Sequence, residues 1–350
     1  MSTLDPEAYG RTRNYGKGAV TKLSPYLSRG VISTKQVFNA LLDLNKPWKQ
    51  IEKLTQELAW RDYWQQVWIS KGDLIDSDLK NTQKPISNWE IPLSIIKAST
   101  DIKALDQAID QMYLTGYMHN HMRMYTASIC CNIAQSHWLQ PSKWMYANLL
   151  DGDLASNQLS WQWVSGVFSN KKYYANQDNI NHFFESDQKN TFLDIEYDKF
   201  PHLKPPEILK DTVSLEVKYD LSLLKDHCVI TDQQTLVYNY YNLDPYWHRD
   251  ENYQRILIIE PSKFKRNPVG QKCLDFAVDL SKNISGIKIF VGEFESLAQI
   301  VSKTKITYKE HPLNYNYIGN KEPREWLSST KGYFPSFFAF WKQCKKELQQ

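Results

Sequence analysis

The 350-residue chain predicts an all-helical domain over residues 1–205 followed by a smaller α/β domain over residues 206–350. Three observations carry this. Apolar residues recur at helical spacing from about Leu23 to Phe184. A polar, proline-bearing passage, SDQKNTFLDIEYDKFPHLKPPEILKD, then breaks the pattern, and short β-branched runs alternate with a helical period beyond it. The length accommodates two such domains, each with a core of its own.

Taken in order, the amino-terminal MSTLDPEAYGRTRN lacks the apolar core of a secretory signal, and no apolar stretch approaches membrane-spanning length. A cytoplasmic protein with no membrane partner is the expectation. Helices are expected in VISTKQVFNALLDL, IEKLTQELAWRDYWQQVWI and IKALDQAIDQMYL, separated by polar or proline-containing breaks. The stretch Asp151–Trp163, DGDLASNQLSWQW, reads as a polar loop entering a helix near Asn157 and Ser160, because Asp, Gly, Ser and Asn serve turns and caps better than helix interiors. In the second domain HCVIT, RILIIEP and IKIFVGEF read as strands, with QKCLDFAVDLSKNI as the helix between the last two. The closing FFAFWKQCKKELQQ reads as one amphipathic helix.

Composition narrows the chemistry. A net charge of +3 permits nucleic-acid binding without requiring it, since basic footprints are local. The five cysteines, Cys130, Cys131, Cys228, Cys273 and Cys344, form no CxxC pair and have no histidine at zinc spacing, which argues for reduced thiols and against zinc or an iron–sulfur cluster. Twelve tryptophans and 21 tyrosines are dense enough to serve packing, base stacking or electron transfer.

Three clusters concentrate functional groups. Between Tyr9 and Leu42 stand six Lys or Arg residues and no Asp or Glu, and within TKLSPYLSRG the Thr21 and Ser24 hydroxyls, the Lys22 charge and a helix opened by Pro25 suit an anion such as a phosphate. The alternative is an ordinary helix start with Ser24 as its cap. In TQELAWRDYWQQVW, Glu57, Trp60, Arg61, Trp64 and Trp68 share one helix face, a mixture suited to a cleft for a polar heteroaromatic ligand. Alternatively the indoles pack while Glu57 and Arg61 pair along the rim. In TGYMHNHMRMYTASICC, Arg123 calls for a carboxylate, which Asp151 or Asp153 supplies, and His119 and His121 point apart at i, i+2, so no metal is expected there.

In this order and spacing, Tyr9 with TRN, TKLSPYLSRGVIS, ELAWRDYW, TGYMHNHMRM, Trp138 and DGDLASNQLSWQW resemble the FAD-binding helical domain of the photolyase/cryptochrome family over residues 9–184. The resemblance implies a non-covalent, U-shaped FAD. Tyr9, Thr21, Lys22, Leu23 and Ser24 match the segment that holds its phosphates and ribityl chain; Glu57 and Arg61 match residues lining the flavin and lesion pocket; Asn120 and Arg123 join the cofactor contacts. Asp151 and Asp153 match the acidic pair near the isoalloxazine and adenine, and Asn157 the residue facing flavin N5.

The activity so implied is light-driven repair of cyclobutane pyrimidine dimers in ultraviolet-damaged DNA, by electron transfer from reduced FAD to a flipped dimer. Trp60 and Trp163 match the indoles that pack on the dimer, Glu57 its hydrogen-bonding acid, and Asn120 and Met124 further pocket residues; His121 stands where an Arg often faces DNA phosphate. Enzymes acting on the (6-4) photoproduct carry histidines at the positions of Asn120 and Met124, so the resemblance implies the cyclobutane-dimer type. Trp161, Trp138 and Trp89 match, in that order, the tryptophan chain that carries electrons to the flavin. A cryptochrome-type blue-light photoreceptor and a repair-inactive flavoprotein share the same flavin site and stay open as alternatives.

The resemblance also sets a contrast. Family members begin with an α/β antenna domain, whereas here the α/β-like region follows the helical one, as in a permuted or truncated architecture. That leaves an antenna chromophore unsupported and makes the second domain a candidate for contact with a protein partner.

Overall fold

The computed structural model describes residues 4–224 and 229–349. Its helical part comprises α1 (Pro6–Thr12), α2 (Ser24–Ser28), α3 (Thr34–Leu42), α4 (Trp48–Lys71), α5 (Leu93–Ile96), α6 (Lys103–Thr115), α7 (Asn120–Ser128), α8 (Leu139–Asn148), α9 (Leu154–Val164) and α10 (Gln177–Phe184). The three helices expected from periodicity are α3, α4 and α6. Each has local reasons to begin or end where it does. Ser33 and Gln36 close a reciprocal capping box on α3, and α6 stops at Gly116 in the left-handed region at φ 73°.

The helix α4 is the axis of the molecule. From Asp62 to Trp68 every side chain is buried, so this stretch has neighbours all round rather than one buried face. The expected single stripe therefore divides: Trp68 packs edge-on against Tyr241 and His311 of the second part, while Glu57, Trp60, Arg61 and Trp64 face a cavity in the helical part.

The second part holds a five-stranded, wholly parallel sheet of β3 (Thr235–Tyr238), β4 (Gln254–Ile259), β5 (Ile287–Val291), β6 (Ile306–Lys309) and β7 (Asn320–Glu322), in the order β5-β4-β3-β6-β7. This is a doubly wound order whose direction reverses between β3 and β6. Helices α11 (Pro261–Arg266), α12 (Gln271–Ser281) and α13 (Phe294–Ile300) follow its strands, and α14 (Phe337–Leu348) closes the chain. RILIIEP, QKCLDFAVDLSKNI and IKIFVGEF form β4, α12 and β5 as expected. HCVIT does not form a strand in its described part: Val229–Thr231 is irregular, and the strand is Thr235–Tyr238 instead. All four of its residues are buried, which removes the alternation that marks a half-exposed strand. His227 and Cys228 lie outside the described residues.

The two parts are not packed as separate bodies. Leu209 is buried in the helical core, and a short strand β2 (Thr212–Val213) pairs with β1 (Ile91–Pro92) just before α5. At the other end, one apolar cluster joins Leu58, Val67 and Leu159 of the helices with Leu236, Leu257 and Phe340 of the second part. Gly30, at φ 64°, lies against the Tyr241 carbonyl, where a Cβ would stand 2.2 Å from that oxygen; only glycine permits this approach of helical part to sheet.

Cys130, Cys131, Cys273 and Cys344 are free and buried. No helix among the described residues is long and apolar enough to cross a membrane, and no group of three or more His, Cys, Asp or Glu among them could hold a metal ion.

Candidate functional site

A cavity of about 590 Å³ opens in the helical part, within the range of small-molecule and cofactor sites. Four stretches of chain distant in sequence build it. From α1 and the connection to α2 come Tyr9, Thr21, Lys22 and Ser24; from α4 come Glu57, Trp60 and Arg61; from α7 come Asn120, His121, Arg123 and Met124. The loop before α9 supplies Asp151 and Asp153, and α9 supplies Asn157, Trp161 and Trp163. Sixteen of the nineteen residues to which the resemblance gave cofactor, substrate or electron-transfer roles thus share one cavity.

Three do not line it. Leu23 packs against the apolar core and precedes α2 as its cap. Trp138 is wholly buried behind the cavity, with its indole N–H donating to Asp78 Oδ1 at 2.7 Å. Trp89 is 61% exposed and stacks on His137, ring centroids 4.1 Å apart, with His137 next to Trp138.

Two acid–base pairs organise the cavity floor. Arg123 Nη2 reaches both oxygens of Asp151, at 3.0 and 2.9 Å, while its Nε donates to the Met118 carbonyl at 2.8 Å. Arg61 Nη2 stands 3.2 Å from Asp153 Oδ2. Of the two candidate partners for Arg123, Asp151 is therefore taken and Asp153 serves Arg61. Glu57 does not pair with Arg61: its carboxylate lies 3.0 Å from Lys53 Nζ and 3.4 Å from Arg13 Nε.

Asp153 also starts the helix. Its Oδ1 accepts from the Ser156 amide at 2.8 Å and the Ser156 hydroxyl at 2.7 Å, so α9 begins at Leu154, three residues earlier than its polar composition suggested. Burial opposes ionisation of this carboxyl, yet the Arg61 guanidinium and the Ser156 donors hold it below the usual carboxylate range. Between the two aspartates, a Cβ on Gly152 would stand 2.9 Å from the Tyr146 carbonyl, so the turn that brings both acids to one wall admits no side chain there.

Polar atoms on the walls are oriented. The Asn157 side-chain N–H donates to the Ser142 carbonyl at 2.8 Å, which commits its amide nitrogen and turns its carbonyl oxygen the other way. His121 stacks on Tyr125 and bonds the Asn14 carbonyl through Nδ1 at 3.0 Å. Burial lowers its pKa, so this ring is neutral at pH 7 and offers no charge to a phosphate. Tyr9 has its phenol pKa pushed up by burial and by Glu57. The helix α2 spans only Ser24–Ser28, and Ser24 is its first residue rather than its cap; Lys22 before it adopts a left-handed φ of 53°.

Sequence reasoning missed several partners. Arg13, Ser28 and Ser156 line the cavity, and Ser28 links the Arg61 guanidinium, at 3.1 Å, to the Asp151 carbonyl, at 2.7 Å. Single hydroxyls and basic residues at helix ends carry no periodic signal that would single them out.

A second, small crevice lies at the carboxyl ends of β3, β4 and β6, where the strand order reverses, and is lined by Asn239, Tyr240, Tyr241, Glu260, Lys263 and Asn314 among others. Its volume is about 30 Å³, room for about two waters and not for an aromatic pigment. The helical part fills the neighbourhood, since the buried Arg29 guanidinium lies 3.6 Å from the Tyr240 ring centroid and 4.8 Å from that of Tyr241.

Residues 54–197 match the family model described as the FAD binding domain of DNA photolyase. A deoxyribodipyrimidine photo-lyase of Streptomyces griseus is 31% identical over 153 residues, covering 43% of this chain and 32% of that protein. One of Agrobacterium fabrum is 26% identical over 255 residues, covering 65% of this chain and 52% of that protein. Among solved structures, a Synechocystis cryptochrome aligns over 51% of this chain and 39% of its own, at 24% identity and a TM-score of 0.47. The matched region spans about a third of the length of the Streptomyces relative and about half of the Agrobacterium one.

Proposed function

Since the helical part of this chain belongs to the photolyase/cryptochrome family, we propose that the protein binds FAD in the 590 Å³ cavity and uses it for light-driven repair of cyclobutane pyrimidine dimers in DNA. The observation that carries the reading is the convergence, in one cavity, of two anchored guanidiniums, an oriented amide and two indoles at a partly open mouth. The residues fit the cofactor by their chemistry. Lys22, Thr21 and Ser24 are suited to phosphate oxygens, Asp151 and Asp153 hold Arg123 and Arg61 in place, and Gly152 leaves the wall free of side chain.

Bound and reduced, FAD would supply the light-driven electron-transfer chemistry that dimer repair requires, with Lys22, Thr21 and Ser24 holding its phosphates. The chain's own work is positional. Asn157, with its N–H committed to Ser142, presents an amide oxygen able to accept from a protonated ring nitrogen. Trp60 and Trp163 offer flat apolar faces for an extruded dimer, and Glu57, steadied by Lys53 and Arg13, offers an acceptor to a pyrimidine N–H. Asn120 and Met124 leave that pocket without histidine acids at their positions. Trp161 on the cavity wall, Trp138 buried behind it and Trp89 at the surface mark a route for electrons from outside. The α/β part we read as antenna-like, with a crevice too small for a pigment.

The test is to illuminate the reduced, FAD-loaded protein with a dimer-containing oligonucleotide. Loss of dimers supports repair. Intact dimers beside a bound, photoreducible flavin would overturn it and leave the photoreceptor reading, and a protein that binds no flavin would overturn both.

A further inference from the structure

We propose that Arg324, in the segment that follows the sheet, is a positioning residue for the cavity in the other domain, acting through the amide of Gln65 on the carboxylate of Asp153. The chain of contacts is short. Arg324 Nη1 donates to Gln65 Oε1 at 2.9 Å, and Gln65 Nε2 donates to Asp153 Oδ2 at 2.7 Å, the oxygen that also faces Arg61. Gln65 is 1% exposed, so no water competes for either end of its amide.

The polarity of the three groups makes the arrangement directional. A guanidinium only donates and a carboxylate only accepts, so of the two ways a glutamine amide can lie between them, one satisfies both ends and the other opposes both. Arg324 selects the orientation that turns the Gln65 N–H toward Asp153. Without it, a rotated amide is opposed at one end only, by the Asp153 carboxylate, and the Gln65 carbonyl oxygen loses its buried donor. Polarisation through the amide also makes that N–H a stronger donor.

Arg324 is itself held in place. Its guanidinium lies 3.8 Å from the Trp326 ring centroid, the Trp326 indole N–H donates to Glu310 Oε1 at 2.9 Å, and the next amide, Leu327, donates to the buried Asp62 at 2.7 Å. A segment that leaves β7 is therefore fastened to α4 at two points one turn apart, Asp62 and Gln65. The α/β part thereby helps to set the electrostatics of a cavity to which it contributes no lining residue.

The inference rests on FAD being the cavity's ligand. Its test is a double-mutant cycle read by titrating FAD into the cofactor-free wild type, R324Q, Q65L and R324Q/Q65L, with thermal melts alongside. R324Q is expected to weaken FAD binding by about 3- to 10-fold, with no further loss when added to Q65L. If R324Q melts too early to titrate, R324K, which keeps the charge, is read in the same cycle with the same expectation of no added loss on Q65L. Wild-type affinity in R324Q, or losses that multiply in the double variant, would overturn the role of Arg324 while leaving the flavin reading intact. A wild type that binds no FAD would overturn the flavin reading and this inference with it.

Discussion

Phe337 lies flat on Trp60, with ring centroids 3.7 Å apart and planes 8° apart. Trp60 is a wall of the cavity and Phe337 opens the last helix, α14, so the carboxyl end of the chain buttresses that wall from behind. The stack continues in nearly parallel rings to Trp341, at 6.4 Å, and Trp48, at 6.5 Å.

Removing the buttress should be costly. Phe337 is 3% exposed, and F337A is expected to lower stability by about 3–5 kcal/mol in urea unfolding, since the surrounding rings cannot close the space. F337L should cost much less.

Trp60 stacks on Phe337 and also lines the cavity. W60F keeps a ring against Phe337, whereas W60A is expected to keep FAD but lose preference for dimer-containing over intact oligonucleotide, by roughly tenfold if one stacked base is worth about 1–3 kcal/mol. Competition binding in the dark measures it.

The Asp153 carboxyl has a lowered pKa in the fold, because its donors outweigh burial. Below its unfolded value near 4 the unfolded chain binds the proton more readily, so the pairing's contribution is complete above about pH 4 and is lost as pH falls through the folded value. The stability gap between wild type and D153N should therefore be constant from pH 7 to about 5 and shrink at lower pH. At neutral pH the gap should be about 3–5 kcal/mol, since Arg61 is left without its carboxylate.

If Trp161, Trp138 and Trp89 form the proposed electron route, its loss should separate from cofactor binding. W138F leaves the cavity lining untouched and should bind FAD as wild type does, yet slow blue-light reduction of the flavin by an external reductant at least about tenfold, followed by loss of the oxidised absorption. W89F, at an exposed position, should slow it without measurable loss of stability.

His248 bridges Glu251 and Glu322, and despite partial burial these two acceptors raise its pKa. A raised folded value contributes stability that is complete below the unfolded pKa near 6.5 and lost as pH rises through the folded one. Melting of wild type and H248N should differ most below pH 6 and converge in mildly alkaline buffer.

The cavity was legible to the extent that its residues sit in compact local motifs. Arg123 needed a carboxylate, the loop before α9 offered two, and the structure joins Arg123 to Asp151. Glu57 and Arg61 share a face of α4 as spacing requires, and Lys53 meets Glu57 at i, i+4 on the same helix, but the other partners, Arg13 for Glu57 and Asp153 for Arg61, follow from how α1 and α9 lie against α4. Leu23 sits inside a motif yet turns to the core, because a backbone passing along a cavity directs only some of its side chains inward. The strand β3 was missed since burial on both faces erases its period.

By itself the sequence determined the helical periods, the β-α-β unit, the polar turn that gathers Asp151 and Asp153, and the set of groups suited to a flavin, all properties encoded within a few turns of chain. Only the tertiary structure decided which carboxylate serves which guanidinium, that β3 lies at the centre of the sheet, and that Arg324 and Phe337 return to brace α4 more than 250 residues away. The reason is physical. A period or a cap is fixed by neighbours along the chain, whereas a buried pair forms wherever packing lets two groups compensate the loss of water.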